Sequence, residues 1–180
     1  MYQLFILGQL MDHPMSGYQI RKALAVIIGS DQTISFGALY PQLDKLANAG
    51  DITLEFKTSS QQRTQKMATI TPQGRKHFKE MILAPIVLNK QTQSEFQMKI
   101  NFLHLLTHSQ QLSVLDDFEE YLNDKLKRLR KKQAELPSNK NMIVADIKDT
   151  MRVIDLRITR IDAQLRWIKN LILELNREEE

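Results

Sequence analysis

Apolar positions in the first half of the chain fall into three short runs at helical spacing. Leu4, Ile6, Leu7, Leu10 and Met11 predict a first helix, ended by Asp12-His13-Pro14. Ser16 is a good cap for a second, whose apolar positions are Tyr18, Ile20, Leu24, Val26, Ile27 and Ile28, and Gly29-Ser30-Asp31-Gln32 breaks it. Ser35 caps a third, with Leu39, Leu43 and Leu46 on one face and Gly50 as its stop. After Gly50 the period drops to two. Ile52, Leu54 and Phe56 alternate with Thr53 and Glu55, Lys57 to Arg63 is turn-like, and residues 66–70 return as a second strand. Thr71 then caps a helix with Pro72 at its first position, which the pattern carries to about Leu88, kinked or interrupted at Pro85.

Helical spacing resumes after a polar stretch, Asn89 to Gln93. Phe96, Ile100, Leu103 and Leu106 make one face, and Ser109 starts a further helix with Leu112, Leu115, Phe118, Leu122, Leu126 and Leu129 as its stripe. That helix ends in the basic run Lys125 to Lys132, which suits the helix dipole or a second contact with a DNA backbone. Leu136 to Asn141 is a turn. The last helix has the clearest period: Val144, Ile147, Met151, Ile154, Ile158, Ile161, Leu165, Ile168, Ile172 and Leu175 step by three and four. A second stripe, Val153, Leu156, Ala163, Trp167 and Leu171, makes the apolar surface too wide for one partner helix. A homodimer is expected, with Ile154, Ile158, Ile161, Leu165, Ile168 and Ile172 in its interface; the rival reading is an internal bundle core.

The expected fold is therefore mainly α with a small β-hairpin: an amino-terminal winged helix-turn-helix over 1–84 and a carboxy-terminal helical dimerisation domain over 85–180. In such a fold a third helix enters the roughly 12 Å wide major groove of double-stranded DNA and the hairpin tip reaches the neighbouring backbone. The outward face of the third helix suits this, since Gly37, Tyr40, Pro41, Asp44 and Lys45 are small near its start and polar beyond. Pro41 has no N–H for the carbonyl of Gly37 and crowds it, so a kinked or tightened first turn is expected. The candidate DNA contacts are Ser16, Tyr18, Arg21 and Lys22 at the second helix, Ser35, Phe36, Gly37, Ala38, Tyr40, Pro41 and Lys45 at the third, and Arg63 and Lys66 in the wing. Each charge alone is as readily an ordinary solvated side chain.

The totals leave this picture standing. The chain has 180 residues, 25 Lys and Arg against 21 Asp and Glu, and a formal net charge of +4, a modest basic excess that permits a polyanionic partner. It has no cysteine, no leader-like amino terminus and no apolar run of about 18 residues, so a cytoplasmic protein without membrane contact is expected.

The motifs of the first half resemble the PadR family of bacterial transcriptional regulators. They are Ile6-Leu7-Gly8 with Leu10, Pro14, Ser16-Gly17-Tyr18, Leu39-Tyr40-Pro41 with Leu43 and Leu46, Gly50, and Thr71-Pro72-Gln73-Gly74-Arg75. The wing departs from the family pattern: Gln62 to Ala68 keeps the basic residues and lacks the usual aromatics. The long carboxy-terminal half resembles the family's longer subfamily. The resemblance implies a homodimeric repressor on a palindromic operator, released when a small hydrophobic or phenolic effector changes the spacing of the two readers. Tyr18, Met81, Phe96, Met98 and Trp167 are candidates for an effector pocket, although aromatics and methionines at helical spacing are more often plain core.

Other chemistry has little footing. His104 and His108 stand four apart, a spacing that can hold zinc, but no third ligand accompanies them, and Asp116, Asp117, Glu119 and Glu120 suit a helix start without a metal. No nucleophile elbow or phosphate loop occurs, so neither a catalytic residue, a metal site nor a cofactor is expected. The remaining rival is a winged-helix adaptor that binds protein.

Overall fold

The computed structural model describes residues 2–28, 35–58, 64–85 and 92–179. They form two compact units, Met1–Leu106 and Thr107–Glu180.

The first unit is built around α1 (Tyr2–Gln9), in which Leu4, Phe5, Ile6, Leu7 and Gly8 are all buried. A helix apolar all round must be surrounded, and α2 (Gly17–Ile28), α3 (Phe36–Asn48) and α4 (Pro72–Leu83) pack on it. The wing is β2 (Ile52–Thr58) against β3 (Thr64–Ile70), antiparallel with Ile52 opposite Ile70 and Phe56 opposite Lys66. Its tip, including Arg63 and Ser59 to Gln62, lies outside the described residues, as do Gly29 to Gln32. The sheet has three strands rather than the expected two. Met15–Ser16 forms β1 on the free edge of β3, with Met15 opposite Ala68 and Ser16 opposite Met67.

α4 stops at Leu83, the interruption expected at Pro85, because a residue before proline is driven out of the helical region, and Ala84 has φ −62° and ψ 140°. One expected helix is corrected. Phe96 to Leu106 is not one helix: α5 (Thr92–Asn101) gives way to a 3-10 turn, Leu103–Leu105. The residue at the break, Phe102, is buried against Phe5 and Phe78, with ring centroids 5.9 and 5.7 Å away. Phe102 also lies where a side chain on Gly8 would be, 2.5 Å from an added Cβ. These contacts carry the first compact unit beyond the winged segment to Leu106. Phe96 and Met98 are buried there as core, and Lys99, also buried, donates from Nζ to the Ala84 carbonyl at the end of α4.

The second unit is a helical hairpin of α6 (His108–Glu135) and α7 (Val144–Glu179). Thr107 caps α6 one residue earlier than expected, with the Gln110 side chain accepting from the Thr107 N–H at 3.1 Å to close a capping box. His108, at the start of α6, meets Glu179 at 2.9 Å and Asn176 at 3.1 Å near the end of α7, so the helices run antiparallel. Leu115, Phe118, Leu122, Leu126 and Leu129 of α6 and Ile154, Ile161 and Ile168 of α7 are buried. Ile158, Leu165 and Ile172 are half-buried, while Val153, Leu156, Trp167 and Leu173 of α7 stay exposed.

Candidate nucleic-acid interface

The position of α3 is fixed from both ends. At its start Ser35 is extended, with φ −69° and ψ 156°, and its Oγ accepts from the Ala38 N–H at 3.2 Å. The Ala38 N–H also reaches the Ser35 carbonyl at 3.1 Å, beside the bond from Leu39 at 2.9 Å, so the first turn is tightened. The helix continues through Pro41. At its end Gly50 takes φ +78°, its N–H bonding to Ala47 and that of Asp51 to Leu46, a Schellman stop that a residue with a Cβ adopts only under strain.

That stop is clamped to the start of α4. Thr71 donates from Oγ1 to the Gly50 carbonyl at 2.7 Å and accepts from the Gly74 N–H at 3.1 Å, while Gln73 donates to the Ala49 carbonyl at 2.6 Å. A Cβ on Gly74 would lie 2.0 Å from the Asp51 carbonyl oxygen, so only glycine permits this approach. Asp51 is itself buried, and its carboxylate meets His77 Nδ1 at 2.8 Å. The Thr-Pro-Gln-Gly sequence thus holds α3 in register with the wing.

With Leu39, Leu43 and Leu46 buried, α3 turns Phe36, Gly37, Ala38, Tyr40, Pro41, Asp44 and Lys45 outward. Arg21 of α2 lies over the Phe36 ring, 4.6 Å from its centroid, and Phe36 stacks on Tyr40 at 6.1 Å and 27°. The Tyr40 ring in turn lies against Gly17, where an added Cβ would be 3.3 Å away. Tyr18 is 63% exposed and Lys22 is exposed beside it. Ser16, unlike the exposed candidates on α3, is buried, and its N–H donates to Gln19 Oε1 at 2.8 Å. Its part is to cap α2 and pair with β3.

Tyr18, Tyr40, Phe56, Thr64, Gln65 and Lys66 line one open groove together with Ser16 and Gly17. Lys66 Nζ is held by Asp44 Oδ1 at 3.2 Å across that surface. Gly17, Phe56, Thr64 and Gln65 of this groove are not among the candidate contacts read from the sequence, and neither is Asp44 beside it. Phe56 is expected inward by strand alternation, yet it is 75% exposed, because the wing projects past the helices that cover Ile52. Asp44 reads as a polar face residue, and only the fold brings it to Lys66. His104 and His108 fall on different elements, and among the described residues no cluster of three or more His, Asp or Glu could hold a metal. No described helix is long and apolar enough to cross a membrane.

Comparison with known proteins gives the following. Residues 6–80 match the transcriptional regulator PadR-like family. The negative transcriptional regulator PadR of Bacillus subtilis (strain 168) is 25% identical over 131 residues, 73% of this chain and 66% of the relative. The match therefore spans just under two thirds of that relative. Among solved structures, B. subtilis PadR in complex with operator DNA is similar at 21% identity, covering 96% of this chain and 98% of the other with a TM-score of 0.45. The same protein in complex with p-coumaric acid gives 22%, 97%, 98% and 0.41. A PadR-like transcriptional regulator from Bacillus cereus gives 24%, 99%, 99% and 0.40.

Proposed function

We propose that this chain, whose residues 6–80 match the transcriptional regulator PadR-like family, is a transcriptional regulator of that family and binds double-stranded DNA through α3 and the wing. The observation that carries the reading is the outward face of α3. Its small residues at the start, Gly37 and Ala38, allow close approach to a groove edge. Tyr40 can hydrogen-bond or contact a thymine methyl, and Lys45 in the last turn is exposed on the same outward face. Arg21, Lys22, Lys57 and Lys66 flank that face at phosphate-reaching positions, and Arg63 follows in the wing sequence.

The finer proposal is a cytoplasmic homodimer that represses from a palindromic operator, with α7 as the dimer element. Support comes from its leftover apolar surface: Ile158, Leu165 and Ile172 are half-buried and Val153, Leu156 and Trp167 exposed in the single chain. Two readers about 34 Å apart then fit successive turns of a duplex. Release by a small phenolic or hydrophobic ligand is proposed from the family resemblance. The test is a duplex pool enriched by binding-site selection. Tyr40→Ala and Lys45→Ala should each weaken binding by about tenfold or more with the sedimentation coefficient unchanged, and full affinity in both variants would refute the assignment of α3.

One observation favours a second reading. Tyr18, Tyr40 and Phe56 expose three aromatic rings on one groove, as a protein-docking adaptor would. Such an adaptor would bind its partner with little dependence on salt.

A further inference from the structure

The wing lysine that lines the groove is already engaged. Lys66 Nζ lies 3.2 Å from Asp44 Oδ1, with the lysine side chain 33% and the aspartate side chain 57% exposed. Asp44 stands one helical turn after Tyr40 on the outward face of α3, so its carboxylate sits within the surface that would meet DNA. There a carboxylate repels phosphates and offers only acceptors to base edges. An exposed ion pair of this kind contributes little to stability, and α3 is already fixed by its cap, its Schellman stop and the clamp from Thr71 and Gln73. The fold does not need the pair.

We propose that Asp44 is a specificity-determining residue: it withholds Lys66 from the DNA backbone on non-matching sequence. It gives the lysine up where a cytosine or adenine amino group in the major groove can donate to the carboxylate instead. This rests on the reading that α3 and the wing bind DNA. On a matching site the protein gains a base contact and a phosphate contact together, and elsewhere it gains neither. Affinity for arbitrary sequence is thereby kept low by a pair internal to the reader.

The test uses the full chain and a labelled duplex of arbitrary sequence, with anisotropy followed across a salt series. Asp44→Asn should bind about three- to tenfold more tightly at low salt, with a log–log salt slope steeper by about 0.9, the value of one added phosphate contact. In Asp44→Asn combined with Lys66→Gln, that gain should vanish. The proposal is overturned if Asp44→Asn binds no more tightly than the unaltered protein, if the gain comes with an unchanged slope, or if it survives Lys66→Gln. Unaltered protein and Asp44→Asn both failing to bind at every salt concentration would refute the DNA reading, and the inference with it. Binding by the unaltered protein with no change in the variant would refute the inference alone.

Discussion

Two glycines set the geometry of the reader, for different reasons. Gly50 is required by conformation, since φ +78° forces any Cβ into the left-handed region. Gly50→Ala should cost about 1–2 kcal/mol. Gly74 is required by space, because its missing side chain is where the Asp51 carbonyl sits. Gly74→Ala cannot relax by turning a flexible neighbour and should cost about 3 kcal/mol or more, the upper range for overpacking. Urea denaturation of the two variants would rank them, and a Gly74→Ala loss smaller than that of Gly50→Ala would contradict the clamp. Both also bear on binding, for they lie where the end of α3 is tied to the wing.

α3 combines a strong start, a strong stop and a proline in between. Replacing Ser35 by alanine removes the bond to the Ala38 N–H and should cost about 1 kcal/mol in thermal unfolding. Pro41→Ala should act in the opposite sense, restoring a donor for the Gly37 carbonyl and raising stability by about 1 kcal/mol or more. An unchanged or lower midpoint for Pro41→Ala would mean that the tightened first turn already absorbs the proline. α3 was readable in the sequence because each of these signals is local: Ser35, the three leucines and Gly50 lie within one short span. The wing strands were readable for the same reason. β1 was not, since two residues carry no period and Met15 finds Ala68 only through the tertiary fold. Nor was the break at Phe102, where packing against Phe5 and Phe78 overrides an unbroken apolar spacing. At the candidate interface, helical spacing gives the exposure of Tyr40 and Lys45. The inward turn of Ser16 and the outward turn of Phe56 depend on which strands and helices happen to cover them.

The helical hairpin lets the packing of the single chain be tested apart from the proposed dimer contact, both of which fall on the apolar surface of α7. Ile161 is buried within the single chain, so Ile161→Glu should damage the hairpin itself, lowering helicity by circular dichroism. Leu156→Glu and Trp167→Glu alter exposed positions and should leave helicity intact while converting a dimer to monomers in sedimentation. Persistence of the dimer in both would move its contact off this face. In the proposed dimer, duplex binding would join the hairpin to the winged unit in function, since paired readers multiply a weak single contact. The most direct measurement of that claim is the affinity of the purified protein for duplex DNA as salt is raised. Log affinity should fall linearly against log salt, with a slope of about 0.9 for each phosphate contacted, and the slope should become shallower when Lys45 and Lys57 are replaced by alanine. Affinity that is absent at low salt, or indifferent to salt and to those lysines, would contradict it.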